Sequence, residues 1–157
     1  MKTFLVFLAV MLLNISFLCF HSDMAHYQKL QVFLKAAAEE CAGGGALYQD
    51  EEAFSQGKLV IKEEEAKKFA KALAEDTGNK LSGRAKGKLD ITLQIFDDEK
   101  GYRGCEAYGL RDGTPSVYAE LRLSCRDLFR LPFFTLTAVK RGAVYQWENR
   151  YGAAEGR

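Results

Sequence analysis

Residues 3–42 read TFLVFLAVMLLNISFLCFHSDMAHYQKLQVFLKAAAEECA, and the way this stretch divides decides the fold. Neither Gly nor Pro interrupts it, so the residues that usually break helices are missing and one helix is expected throughout. Its first part, residues 3–20, carries no charge. Those eighteen residues rise about 27 Å as a helix, close to the roughly 30 Å of a bilayer's hydrocarbon core. A cleaved signal peptide is the competing reading, but its apolar region usually spans about 7–15 residues and ends at a small-x-small site. Ser22-Asp23-Met24-Ala25 puts Asp or Met where a small residue belongs, which favours a retained anchor. Lys2 is the only charged side chain before the run, and the first Lys beyond it is Lys29. This asymmetry favours a single-pass protein of the cell membrane, N-terminus cytoplasmic and domain extracytoplasmic.

Beyond the run the pattern turns amphipathic. Tyr27, Leu30, Leu34, Ala37 and Cys41 recur at steps of three and four, a stripe that needs either the protein's own domain or a neighbouring helix to cover it. We take these five as the helix-packing interface. Gly43-Gly44-Gly45 is expected to end the helix, because three glycines lose much backbone entropy on folding. The sequence thus divides into a transmembrane segment (1–22), a helical stalk (23–43), an extracytoplasmic domain (44–150) and a tail (151–157).

For that domain the sequence predicts α+β. Residues 46–61 read as a connector, and residues 62–77 as a second helix with Ala66, Phe69, Ala70 and Leu73 on one face and Gly78-Asn79 as its stop. Glu63 and Glu64 stand four residues before Lys67 and Lys68, the spacing of helical ion pairs. Residues 79–88 (NKLSGRAKGK) form a basic loop without P-loop spacing; a solvated loop is the expectation, with phosphate or lipid-headgroup contact as the alternative. The period then changes to two. Leu89, Ile91, Leu93 and Ile95 alternate with polar residues, as do Val117, Ala119, Leu121 and Leu123. Residues 102–110 read as a less regular strand turning at Asp112-Gly113, and residues 133–140 and 143–149 as two strands around Arg141-Gly142. The expected sheet is an antiparallel meander of about five strands.

Chemistry is harder to find. The chain has 22 basic and 21 acidic residues, a balance that gives no electrostatic reason to expect nucleic acid. Its two histidines, His21 and His26, point about 140° apart on a helix, so they do not share a ligand sphere. Asp23 lies three residues from His26, where an interfacial polar collar is expected rather than a metal site. Asp97-Asp98-Glu99 lacks the alternating ligands of an EF-hand. No catalytic residue, metal site or cofactor is expected, and the chain does not read as an enzyme. Of the four cysteines, Cys19 lies in the run. With Asp112-Gly113 as turn centre, Cys105 faces Glu120 and Cys125 lies roughly 17 Å further on, too far for a disulfide; Cys41 with either partner stays open. The aromatics Phe133, Phe134, Tyr145 and Trp147 crowd the last two strands and form the candidate partner surface.

An uncharged span continuing as an amphipathic helix, then a small antiparallel sheet, resembles the pilins and pseudopilins of type IV-related systems. The stretch around Tyr27-x-x-Leu30-Gln31 and residues 34–42 (LKAAAEECA) is similar to the TadE/TadG-like proteins of Tad (tight adherence) pilus loci. The run itself holds no acid, which prepilin-like members often carry. The resemblance implies a membrane-anchored structural subunit of a pilus or secretion assembly, its partners other pilin-like subunits, envelope assembly proteins and the lipid bilayer. The alternative is a small secreted binding domain released from a cleaved signal peptide.

Overall fold

The computed structural model describes residues 2–147. Helix α1 runs unbroken from Lys2 to Gly45, and its two halves meet different surroundings. Up to Leu18 its apolar side chains stand exposed; Phe4, Phe7 and Leu13 are each about two-thirds open. From Leu30 onward one side is closed off: Leu34, Ala38, Cys41 and Ala42 have no exposed surface. The short helix α2 (Glu51–Ser55) follows, started by the Asp50 carboxylate, which accepts from the Glu52 and Ala53 N–H groups. Helix α3 (Glu63–Lys80) leads to strands β1 (Gly87–Phe96), β2 (Ser116–Cys125) and β3 (Ala138–Gln146). The strands form one antiparallel sheet in the order β1-β2-β3.

The alternation in the sequence decides which face is covered. Val117, Ala119, Leu121 and Leu123 of β2 have no exposed surface; they pack on α1 and α3 with Leu89, Ile91, Leu93 and Ile95 of β1 and Val139 and Ala143 of β3. Alanines at 37, 38, 42, 66, 70 and 74 let both helices lie close to the strands. This arrangement is α+β in two layers; residues 105–110 pack over the Phe96–Ser116 end of the other sheet face, and the rest of that face is open. That outer face is polar. The Tyr118 hydroxyl donates to Glu120 at 2.9 Å, and Lys140 pairs with Glu120 at 2.8 Å. Burial, and then the Glu120 carboxylate, push the Tyr118 hydroxyl up to about 12.

Several sequence expectations need correction. The sheet has three strands among the described residues, not about five. Residues 102–110 form no strand: Cys105–Tyr108 is a 3-10 turn held between Gly104 and Gly109, both left-handed. Asp112-Gly113 is therefore not the centre of a two-residue hairpin, and β1 and β2 are joined by residues 97–115. Gly87 faces Cys125 in the actual register, and Cys105 lies in a separate small cluster with Phe96 and Leu110. The thiols of Cys19, Cys41, Cys105 and Cys125 are all free. Arg141-Gly142 is not a turn either; β3 passes straight through it, Gly142 facing Glu120. The glycine serves the outer face, since a Cβ there would collide with the Tyr118 ring. Residues 148–149, the end of the expected last strand, and 151–157 lie outside the described residues.

The glycine triplet also behaves differently from its propensity. Residues 43–45 stay helical, and the middle one needs its missing side chain: a Cβ on Gly44 would strike the Phe69 ring, which packs 5.8 Å from Tyr48. Tertiary packing here outweighs the entropic cost of about 1 kcal/mol per helical glycine. Gly78 likewise fails to stop α3, which runs on to Lys80. A glycine needed for close approach also opens the sheet, because a Cβ on Gly87 would press into the Ser124 carbonyl of β2. Gly87→Ala is expected to cost about 1–3 kcal/mol as overpacking, measured as a lower urea midpoint of the full chain in detergent.

Candidate interface beside the apolar helix segment

The end of the domain nearest residues 3–20 is built from the β2–β3 connection, residues 126–137. Its frame is tight. Cys125 N–H donates to Thr137 O at 2.9 Å and Leu128 N–H to Leu136 O at 3.1 Å. Within it, Asp127 Oδ1 accepts from the N–H groups of Leu136 (3.0 Å) and Phe129 (3.1 Å). These two bonds, Leu136 first, hold the Asp127 carboxyl below its ordinary value. At the tip, Phe134 N–H donates to Leu131 O at 3.2 Å, closing a turn over Pro132 and Phe133.

This loop is clasped to α1 just beyond the apolar run. Asp23 Oδ2 accepts from the Arg130 backbone N–H, and Oδ1 accepts from Nε and a terminal guanidinium nitrogen, all at 2.8 Å. The Asp23 side chain is 6 % exposed and that of Arg130 44 %. Burial by itself would raise the Asp23 pKa; the side-chain and backbone bonds from Arg130 and its charge outweigh that and hold it below the usual carboxylate value. Around the clasp lie aromatic rings: Phe20 is 5.3 Å from Phe134 and 6.0 Å from Phe129, and Tyr27 is 6.5 Å from Phe129. Phe133 is left 83 % exposed and Phe134 49 %.

The basic segment after α3 joins the same end. Its 3-10 turn, Gly83–Ala85, buries Ala85 in one cluster with Leu30, Leu34, Leu123, Leu128 and Val139, leaving Arg84, Lys86 and Lys88 exposed. Arg84 reaches the Asp127 carbonyl at 3.5 Å.

The helix-packing stripe is covered by its own domain. Leu30 and Leu34 pack against β2 and β3, Ala37 against Leu121 and Ala143, and Cys41 beside Ala70, Val117 and Ala119; Tyr27 is partly buried against the same set as Leu30. The Cys41 thiol, pushed up to about 11 by burial and secondarily by Glu40, lies 3.9 Å from the Ala70 carbonyl. Residues 23–43 are thus part of the domain core rather than a free stalk. The four aromatics of the expected partner surface divide into two groups. Phe133 and Phe134 stand beside Phe20, whereas Tyr145 and Trp147, with ring centroids 5.9 Å apart, lie at the far end of α1, where Tyr145 approaches Gly43.

The other polar residues are engaged structurally. Asp97, fully buried, accepts from the N–H groups of Ile61, Glu99 and Lys100. Asp98 accepts from Leu59 N–H and the Tyr102 hydroxyl. Glu63 pairs with Lys100 and Lys67, which lower its carboxyl to about 2. His21 and His26 are exposed, His21 packing edge-on against Phe17 at 4.3 Å. Among the described residues, no three His, Cys, Asp or Glu side chains gather closely enough to hold a metal ion.

Sequence reasoning missed the Asp23–Arg130 clasp, although a signal was present. Asp23 lies four residues before Tyr27, so it extends the Tyr27/Leu30/Leu34 stripe, and an acid on a buried face needs a cationic partner. Comparison of the chain with protein-family models, with curated proteins and with solved structures finds no match.

Proposed function

We propose that this chain is a non-enzymatic, single-pass, pseudopilin-like subunit of a pilus or secretion assembly, with its N-terminus cytoplasmic and its sheet domain extracytoplasmic. One observation carries the reading: a single helix is apolar and open on every side over residues 3–18, then becomes the central core element of a small antiparallel-sheet domain. Each large apolar side chain left in water forgoes about 1.5–3 kcal/mol. Such a segment calls for a solvent of lipid tails or a bundle of like helices, and a helix meets the bilayer's demand that backbone groups be bonded internally. The layout of exposed apolar helix, packed helix and antiparallel sheet is also the one implied by the resemblance to TadE/TadG-like proteins. Because the core stripe is used up internally, contacts with other pilin-like subunits fall to residues 3–20 and to the outer side of α1, where Val32 is 70 % exposed.

Cys19 offers the test. In membranes holding the full chain with Cys125→Ser, mild oxidation is expected to give disulfide-linked copies or a linked envelope partner, lost in Cys19→Ser. A chain washed from membranes by alkaline carbonate and lacking the apolar run by mass is instead the secreted binding domain. A chain that resists carbonate but gives no link at Cys19 or at cysteines walked around residues 8–19 is an anchored monomer, and the assembly reading fails.

A further inference from the structure

The proposed anchor leaves open whether the domain stands away from the bilayer or sits on it. The apolar run ends at Phe20, and Asp23 already belongs to the domain through Arg130. No spacer separates the two. The part of the domain brought to that level is apolar at its tip and basic at its rim. Leu131-Pro132-Phe133-Phe134 projects beside Phe20, with Phe133 the most exposed large apolar residue among the described residues. Arg84 reaches the Asp127 carbonyl of the same loop from the Gly83–Ala85 turn, and Lys86 stands exposed at the end of that turn.

We infer that the 131–134 turn is a membrane-seating finger, inserted at the headgroup–acyl boundary of the bilayer that holds α1, with Arg84 and Lys86 facing lipid phosphates. This inference rests on the anchor reading. Three features select lipid as the occupant. The Phe134 and Phe20 rings lie 5.3 Å apart, so the finger is continuous with the apolar helix surface. Aromatic side chains concentrate at the level where a span leaves the hydrocarbon. Basic residues beside an apolar tip are the composition of interfacial segments that bind anionic lipid. The turn is also held shut by Asp127 and Asp23 from two directions, so Phe133 is presented rigidly rather than on a loose loop.

The test places a fluorophore on the finger. In the full chain with Trp147→Phe and Phe133→Trp, reconstituted into vesicles of phosphatidylcholine and phosphatidylglycerol, emission is expected to be blue-shifted and quenched by lipids brominated near the headgroup. The native Trp147, half-buried at the other end of the domain, is expected to show no quenching by the brominated lipids. Arg84→Glu with Lys86→Glu is expected to weaken the quenching in vesicles containing phosphatidylglycerol and to change it little in pure phosphatidylcholine. Carbonate extraction is scored on the same samples. A chain retained by the bilayer whose residue 133 emits as in water overturns the finger and leaves the anchor intact, whereas a chain released by carbonate overturns the anchor itself. Blue-shifted but unquenched emission that rises with protein-to-lipid ratio identifies a second copy as the occupant and also overturns the inference.

Discussion

Leu34→Asp is expected to abolish cooperative unfolding of the full chain in detergent. Leu34 has no exposed surface and sits where α1 meets Leu123, Leu128 and Val139. Truncation of such a leucine to alanine alone costs about 2–5 kcal/mol, and a buried carboxylate without a partner adds several more. Against a typical total of about 5–15 kcal/mol, the sheet loses its seat on the helix. Near-ultraviolet circular dichroism and limited proteolysis report the loss. Val32→Asp, two residues away but 70 % exposed, serves as the control, with an expected change within about 0.5 kcal/mol. Equal protease resistance in the two variants would show that α1 and the sheet are not one core.

The second large effect belongs to the clasp. Asp23→Ala removes three charge-assisted bonds from Arg130; hydrogen bonds to charged groups contribute about 1.5–3 kcal/mol, and the half-exposed guanidinium draws the expected loss toward the lower end. The local effect exceeds the global one, because the 126–137 loop loses its tie to α1. Trypsin is therefore expected to cut after Arg130 in Asp23→Ala well before the rest of the domain is digested. The pH dependence follows from the direction of the Asp23 shift. Its folded pKa lies below the ordinary value, which is about 3.9 in an unfolded chain. The stabilisation is therefore complete above that value and disappears as pH falls through the folded pKa. The gap in urea midpoint between the native chain and Asp23→Asn is expected to be constant above about pH 5 and to shrink below about pH 4; a gap that widens on acidification would contradict the clasp.

The sequence carried the two long helices and the two regular strands because their signals are local, whereas the short α2 falls where the sequence reads only as a connector. The stripe from Tyr27 to Cys41 and the alternation at 89–95 and 117–123 each depend on one element meeting one core, and each is seen on the face that periodicity assigns. Failures fall where glycine is needed for a distant neighbour. Gly142 admits the Tyr118 ring, Gly44 admits Phe69 and Gly87 admits the Ser124 carbonyl; each neighbour comes from another element, so propensity misreads the first as a turn and the second as a helix end. Gly104 and Gly109 misled in the opposite way, since they bracket a compact turn where weak alternation suggested a strand. At the candidate interface, the exposed aromatics were visible in composition, but their separation into Phe133–Phe134 and Tyr145–Trp147 depends on β3 running unbroken between the two ends. The partnership of Asp23 with a residue 107 positions later depends on the whole fold.

An unbroken α1 also has mechanical meaning. No Gly or Pro occurs between Lys2 and Ala42, so nothing marks a hinge between the segment suited to lipid and the segment that forms the core. From Phe20 to Gly45 the rod extends about 37 Å at 1.5 Å per residue, so a tilt change of about 10° carries its far end sideways by about 6 Å. Spans tilt to match bilayer thickness. Under the proposed anchoring, a thinner or thicker membrane would make the helix a lever, with the Tyr145–Trp147 end of the sheet travelling furthest.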